Sequence, residues 1–447
     1  MTGTTRDRAG RAEWTGPEGG RDRGRRRRGL AVRAVAVALA GAGLVGALAP
    51  VAGAQGAAPG SGRPVADGGI DRVDRAALDA AVRGPVAQGG ASAALGLVAE
   101  RGRTVWKGAA GTADFATGAP ATADGRFRIG SVTKTFVATV VLQLVAEHRV
   151  GLDDPVESRL PGVVPNGGQI TVRQLLNHTS GLFNYTEDPS FSFDEDPAAL
   201  QQWLDVGRWR PYAPGELVGL AAQHPPYFAP GQGWHYSNTN YVVIGMLIER
   251  LTGRGWADEV QRRIIRPLGL TGTSMPLNSP FVPGPHAHGY YKLASGPADV
   301  TLLDPSMAGA SGAGISTTTD LARFVSALLG GRLLAPAQLA EMKRTTPQSG
   351  PAEYGLGLQR TSTACGEYWG HSGGIPGYTT LMYGASDGRR QFTASVNPYD
   401  LSDLPAANAT VEALVATALC DTHPATAATP PTPPTATGTL AATGVVR

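Results

Sequence analysis

Apolar side chains recur at the spacing of an α-helix in two stretches of the chain. The first stretch covers residues 131–147, and Pro155 follows it as a helix stop would. Its apolar positions are Val132, Phe136, Val140, Val141 and Leu144. The second stretch, residues 318–329, predicts another helix. Residues 171–270 alternate shorter helical pieces with loops that are rich in Pro and Gly.

Shorter apolar runs predict two groups of β-strands. Residues 95–100 and 104–111 flank a short turn at Arg101-Gly102-Arg103, which is the pattern of a hairpin. Residues 354–396 hold β-like runs that Gly interrupts, as in an antiparallel sheet. We expect the strand that carries His371 to lie at the edge of that sheet.

The first 54 residues have the order of a secretory signal peptide. The basic segment 25–28 precedes an unbroken apolar and Gly run at 34–49, and Ala52-Gly53-Ala54 forms a cleavage site. A retained signal anchor is the alternative, although the run is short for a membrane span. We expect a secreted protein without a stable membrane anchor, exported by the Sec or the twin-arginine route.

Residues 55–69 are rich in Gly, Ala, Ser and Pro and predict a linker. Residues 422–447 consist mainly of Thr, Pro and Ala and predict a disordered tail.

The distribution of charge along the chain argues against nucleic acid as a partner. The chain has 447 residues and a formal net charge of +3. Residues 1–54 contain ten Arg and four acidic residues, so the remainder carries a net charge of −3. A mildly acidic remainder lacks the basic surface of a nucleic-acid binder. The two Cys, Cys365 and Cys420, suggest one disulfide in an exported chain, with two reduced buried thiols as the alternative.

Candidate chemistry begins at Ser131 and Lys134, an S-x-x-K element on the predicted helix. Residues three apart on a helix share one face. A serine hydroxyl needs a neighbouring base to become a nucleophile, and a desolvated lysine has the lowered pKa that this base requires.

Two later motifs can complete such a site. Tyr236 and Asn238 form a Y-x-N element, in which Tyr236 suits a proton shuttle and Asn238 a hydrogen-bond partner for substrate or Lys134. Residues 371–374 read His-Ser-Gly-Gly on a predicted strand, which suits pairing with an extended substrate.

The three motifs in this order resemble those of the penicillin-recognising serine hydrolases, the family of DD-peptidases and serine β-lactamases, class C included. Their Tyr and His forms are most similar to secreted actinobacterial D-alanyl-D-alanine carboxypeptidases/transpeptidases. The resemblance covers residues 77–420 and includes the stretch 170–182. Cys365 and Cys420 also fall where those relatives have their Cys pair.

The resemblance implies an α+β fold over residues 70–421, an antiparallel β-sheet flanked by helices plus a mainly helical second domain. It implies a D-Ala-D-Ala carboxypeptidase, with transpeptidase activity as a companion, that acts on peptidoglycan stem peptides and is blocked covalently by β-lactams. It implies no metal and no organic cofactor, and we expect a monomer. A related serine esterase, D-amino-peptidase or class C-like β-lactamase is the alternative.

Carried over to this sequence, the resemblance makes Ser131 the nucleophile, while Lys134 and Tyr236 exchange the protons. Asn238 holds the substrate amide. The backbone N–H groups of Ser131 and Gly374 form the oxyanion hole.

The same resemblance adds His371 to the catalytic set. It places His371 and Ser372 at the border of the site, where they help to hold the substrate carboxylate, and it makes Gly373 and Gly374 substrate-binding residues. Two departures bear on the substrate. Gln359 stands where the relatives have a site-facing Arg, and the next residue, Arg360, points to the other strand face. Met307 replaces an expected aromatic residue.

Phe191, in the loop 186–197, is a candidate wall residue of the cleft.

Three rival interpretations remain. Ser372 lies in a G-x-S-x-G pattern at 370–374, typical of a nucleophile elbow, but Pro376 and Gly377 follow where that elbow needs a helix. His286 and His288 could ligate a metal, although no neighbouring Cys or acidic residue completes a site. A non-catalytic module that binds β-lactams or muropeptides is the third.

Overall fold

The computed structural model of the chain describes residues 73–191, 197–363, 365–400 and 402–420. The predicted signal peptide (1–54), linker (55–69) and tail (422–447) lie outside these residues. In the described ranges, no helix is both long and apolar enough to cross a membrane.

An antiparallel sheet of seven strands is the centre of the described fold. The strands of the structure are β1 (Ala91–Glu100), β2 (Arg103–Asp114), β3 (Ala119–Pro120), β4 (Phe127–Arg128), β5 (Tyr290–Leu293), β6 (Gly296–Asp299), β7 (Ile315–Ser316), β8 (Gln359–Thr363), β9 (Gly366–Ile375), β10 (Tyr378–Ala385) and β11 (Arg390–Pro398). The large sheet has the order β3-β2-β1-β11-β10-β9-β8, while β4 pairs with β7 and β5 with β6. Both predicted groups of strands are confirmed, although β1 and β2 are longer than their apolar runs indicated.

Helices cover both faces of this sheet. They are α1 (Arg75–Ala87), α2 (Thr133–Ala146), α3 (Val172–Leu176), α4 (Pro197–Asp205), α5 (Pro214–Ala221), α6 (Asn238–Thr252), α7 (Trp256–Val260), α8 (Arg266–Leu268), α9 (Thr318–Leu329), α10 (Pro336–Lys343) and α11 (Leu404–Leu419), with a π-helical stretch at Gln261–Ile265 between α7 and α8. The helices α1 and α11 pack on one face, and α9 packs on the other. As a result β1 is buried on both faces, which explains why it shows no alternation of apolar and polar residues.

The predicted helix at 131–147 is divided into two parts. A 3-10 turn, Gly130–Val132, comes first, and α2 continues from it. Nearly every side chain of α2 from Thr133 to Leu144 is buried, so this is a core helix with no polar face. The turn holds Ser131 at the point where the chain enters the core.

The strand that carries His371 does not lie at the edge of the sheet. β9 lies between β10 and β8, and β8 is the edge strand. The short β8 ends its ladder where Gln359 pairs with Gly370. Among the described residues, His371–Ile375 therefore pair with a strand on the β10 side alone, and the Gly130–Val132 turn packs against this part of β9.

A disulfide joins Cys365 in the β8–β9 turn to Cys420 at the end of α11, with the two Cα atoms 5.3 Å apart. The bond suggested by the sequence is thereby confirmed. The disulfide ties the β8–β9 hairpin to α11, which packs with α1 on one face of the sheet.

We predict that replacing Cys365 and Cys420 together with Ser lowers the free energy of unfolding by about 4 kcal/mol, because the bond closes a loop across 55 positions of the unfolded chain. Urea unfolding of the oxidised, the reduced and the doubly substituted protein measures the effect. The reduced protein should match the variant. Three superimposable unfolding curves would contradict the prediction.

Candidate active site

Ser131 and Lys134 come together at the start of α2. Ser131 is nearly buried in its 3-10 turn, and Lys134 lies one turn later with no exposed surface. The Lys134 Nζ atom lies 3.0 Å from the Ser131 Oγ atom. The S-x-x-K spacing thus places a nitrogen base within hydrogen-bond distance of a nucleophile.

Two further oxygen atoms contact the Lys134 nitrogen. The Asn238 Oδ1 atom and the Ser311 carbonyl oxygen each accept a hydrogen bond from Nζ at 2.7 Å. Burial holds the pKa of Lys134 well below its usual value, and no carboxylate of the described residues opposes this shift. A neutral amine has two N–H groups for these two acceptors, which leaves its lone pair for the Ser131 hydroxyl. This arrangement is compatible with the predicted role of Lys134 as a base.

Tyr236 lies over this pair. The centre of its ring is 4.8 Å from the Lys134 Nζ atom. Its hydroxyl is buried beside the Ser131 hydroxyl and has no other hydrogen-bond partner among the described residues. Burial raises the pKa of Tyr236, and the Ser131 hydroxyl lowers it by a smaller amount. The phenol therefore stays protonated, with its O–H group beside Ser131.

Asn238 is the first residue of α6 and connects the helix to the site. Besides contacting Lys134, its Nδ2 group donates to the Thr186 Oγ1 atom at 3.3 Å. Its backbone N–H donates to the Asn184 Oδ1 atom at 3.0 Å. These bonds fix the amide so that its oxygen faces Lys134, and Asn238 also lines the cleft.

The end of β9 closes on the nucleophile turn because two glycines allow it. A Cβ atom on Gly373 would lie 2.0 Å from the Ile129 carbonyl oxygen and 2.9 Å from the Ser131 nitrogen. A Cβ atom on Gly130, which has a φ of 47°, would lie 2.7 Å from the Gly374 carbonyl oxygen. The backbone at Gly130 and Ser131 is thus a close neighbour of the backbone at Gly373 and Gly374.

His371 lies behind Tyr236. Its Nε2 atom accepts a hydrogen bond from the Tyr354 hydroxyl at 2.9 Å, and its Nδ1–H group donates to the Ser372 carbonyl oxygen. Burial lowers the pKa of His371 to about 3, so the ring is neutral. No hydrogen bond of the structure joins it to Ser131 or Lys134, and its catalytic role stays a prediction.

Other predicted site residues lie outside the cleft lining. Ser372 pairs with Leu381, whose side chain packs in the cluster on the α1 and α11 face of the sheet. Gln359 begins β8, and Arg360 forms ion pairs with Glu353 and Glu367. The structure therefore brings neither Gln359 nor Arg360 to Ser131.

Phe191 is buried one layer behind the cleft wall. Its ring packs edge-on against Tyr185 at 5.2 Å and against Tyr212 at 5.1 Å.

The open cleft beside Ser131 has about 310 Å³ of empty space, part of which is solvent. Its lining consists of Ser131, Tyr185, Thr186, Asn238, Met307, Ala308, Ser311, Gly312, Gly374 and Ile375. None of these side chains carries a charge.

The sequence analysis missed Tyr185, Thr186 and Ser311. The run of small residues at 311–314 is the one sequence signal for the cleft wall at Ser311. Small side chains there let Lys134 reach the Ser311 carbonyl oxygen.

The rival interpretations find little support in this geometry. The G-x-S-x-G pattern at 370–374 lies inside β9, whereas a nucleophile elbow needs a turn between a strand and a helix. The rings of His286 and His288 stack at 5.1 Å, and His288 pairs with Asp299. In the part of the chain that the structure describes, no three His, Cys, Asp or Glu side chains form a metal-binding group.

Comparison with known proteins supports the chemistry of the site. Residues 78–416 match the sequence profile of the Beta-lactamase family. A D-stereospecific amidohydrolase from Streptomyces sp. is 41% identical over 78% of this chain and all of that chain, with a TM-score of 0.69.

Two further relatives are Penicillin-binding protein 4* of Bacillus subtilis, 30% identical over 66% of this chain, and Esterase EstB of Burkholderia gladioli, 36% identical over 40% of it. The matches span 65% and 45% of the length of these two relatives.

We predict that Gly373→Ala slows the acylation of Ser131 by at least about 100-fold, because displacing a reacting group by about 1 Å costs that much. The rate at which benzylpenicillin labels Ser131, followed by intact mass, measures it. Gly219→Ala is the matched control, since Gly219 lies exposed on α5 with no atom within 4 Å of an added Cβ. Equal labelling rates in the two variants would refute the close approach.

Proposed function

The chain belongs to the beta-lactamase family of serine hydrolases, and from this premise we propose that it is a D-stereospecific serine amidohydrolase. It cleaves the amide bond that follows a D-amino acid residue, through an acyl-enzyme on Ser131. The uncharged cleft is the observation that carries this proposal: among the described residues, its lining offers no cation to a substrate carboxylate. The amidohydrolase from Streptomyces sp., matched over its whole length, supports the D-configured substrate.

In the proposed mechanism, the neutral Lys134 amine takes the Ser131 hydroxyl proton as Oγ attacks the substrate carbonyl carbon. Negative charge develops on the carbonyl oxygen, which faces the N–H groups of Ser131 and Gly374. The Tyr236 hydroxyl gives its proton to the leaving nitrogen as the C–N bond breaks, and Lys134 returns a proton to Tyr236. Water then cleaves the ester bond to Ser131 with the same groups in reverse.

A D-Ala-D-Ala carboxypeptidase of peptidoglycan stem peptides is the second candidate. The order of the three motifs and the penicillin-binding relative favour it. It requires a partner for the terminal carboxylate, and Gln359 and Arg360 do not supply one in the cleft. In either case the enzyme acts outside the cell, because residues 1–54 have the pattern of a signal peptide.

The two candidates differ in the terminal group that they prefer. We predict that N-acetyl-D-Ala-D-Ala amide is hydrolysed at least as fast as N-acetyl-D-Ala-D-Ala, in terms of kcat/KM for the central amide bond. The N-acetyl-L-Ala-D-Ala counterpart should react at least about 100-fold more slowly, because its carbonyl is misplaced. Product release measured by chromatography gives all three values, and Ser131→Ala should abolish them.

A strong preference for the free carboxylate, ten-fold or more, would replace the amidohydrolase with the carboxypeptidase. Equal rates on the L and D substrates would contradict both. Activity that survives Ser131→Ala would show that the site itself is wrongly assigned.

A further inference from the structure

His178 forms hydrogen bonds with the two residues that flank Tyr236 in the sequence. It is fully buried just after α3, at a φ of 64°. Its carbonyl oxygen accepts the N–H group of His235 at 3.1 Å, and its Nδ1 atom accepts the N–H group of Ser237 at 3.2 Å. One residue therefore fixes the backbone immediately before and immediately after Tyr236.

The His178 ring also supports the Tyr236 ring. The two ring centres are 4.2 Å apart and the planes are tilted by 32°. Among the described residues, the Ser131 hydroxyl is the one hydrogen-bonding group beside the Tyr236 hydroxyl, and this single contact does not fix the direction of the phenol ring. The direction of its O–H group is set by ring packing and by the backbone, and His178 contributes to both.

The hydrogen bonds also define the state of His178. A second donor, the Asn240 Nδ2 group, lies 3.1 Å from the same Nδ1 atom. An atom that accepts two N–H groups carries no proton, so the imidazole is neutral. Burial lowers its pKa well below the usual value, which agrees with this assignment. His178 thus provides an acceptor and a flat surface and is not itself an acid.

We propose that His178 is a positioning residue that aims the Tyr236 hydroxyl at the leaving group, acting through its Nδ1 acceptor and its ring contact. The inference rests on the proposed function of Tyr236 as proton donor. It predicts an effect that depends on the leaving group. An amide nitrogen needs the proton, whereas p-nitrophenolate leaves as an anion.

The test compares the methylamide and the p-nitrophenyl ester of N-acetyl-D-alanine by kcat/KM, which reports acylation and not the hydrolysis of the acyl-enzyme that both substrates share. His178→Ala should lower kcat/KM for the amide by about 100-fold, the scale of lost general acid catalysis, and should change kcat/KM for the ester less than three-fold. The ratio of the two values from one preparation does not depend on how much of the variant is folded.

Two matched variants accompany it. His178→Asn keeps a δ-position acceptor and tolerates a positive φ, so it should recover at least a tenth of the amide activity. His148→Ala removes an exposed histidine at a similar φ of 55° and should leave the ratio at its wild-type value.

The double variant with Tyr236→Phe separates the inference from the proposed function. Tyr236→Phe alone should lower the amide-to-ester ratio, and adding His178→Ala should lower it no further. If Tyr236→Phe leaves the ratio unchanged, the proposed function of Tyr236 fails and the inference fails with it. If Tyr236→Phe lowers the ratio and His178→Ala lowers both substrates equally, the inference alone is overturned.

Discussion

The burial of Lys134 without a carboxylate is the constraint on which the rest of the site depends. An unpaired ammonium in a protein interior costs several kcal/mol, so a buried lysine of this kind gives up its proton. Three separate segments supply the atoms around its nitrogen: the Ser131 turn, the start of α6 and the carbonyl of Ser311. Contacts from three segments to one side chain require that this side chain lies on a core helix that is buried on all sides, and α2 is such a helix.

The same constraint shapes the electrostatics of the neighbourhood. Burial in the same interior lowers the pKa of both His178 and His371. Both imidazoles are therefore neutral hydrogen-bonding groups around Tyr236. The adjoining cleft has no charged lining. Charge in this site thus develops mainly on the reacting atoms, where fixed N–H groups of the backbone stabilise it best.

The sequence predicted the parts of the structure that depend on local pattern. The helix at Thr318–Leu329 and the pairing of β1 with β2 follow from periodicity and turn residues. The contact between Ser131 and Lys134 follows from helical spacing alone. The disulfide followed from the number of Cys residues in an exported chain.

Features set by tertiary packing could not be predicted in this way. Ser311 contributes a backbone carbonyl, which any residue type provides, so no side-chain signal marks it. Tyr185 and Thr186 reach the cleft through the 3-10 turn Tyr185–Glu187, which has no periodicity to detect. The expected edge position of β9 was wrong because the five-residue β8 pairs with the first half of β9. Among the described residues, only the half that carries His371 has no strand on that side. Gln359 was placed by alignment to relatives, and the register of β8 against Gly370 takes it away from Ser131.

The pH dependence of Ser131 acylation tests the central claim most directly. The labelling rate with benzylpenicillin, measured by intact mass, should rise with pH in one step as Lys134 loses its proton, and then stay constant. The midpoint should lie well below the usual lysine value of 10.5. Lys134→Arg, which keeps its charge at every pH, should show neither the step nor the plateau rate. A wild-type midpoint near 10.5, or a rate that does not change with pH, would contradict a neutral lysine base.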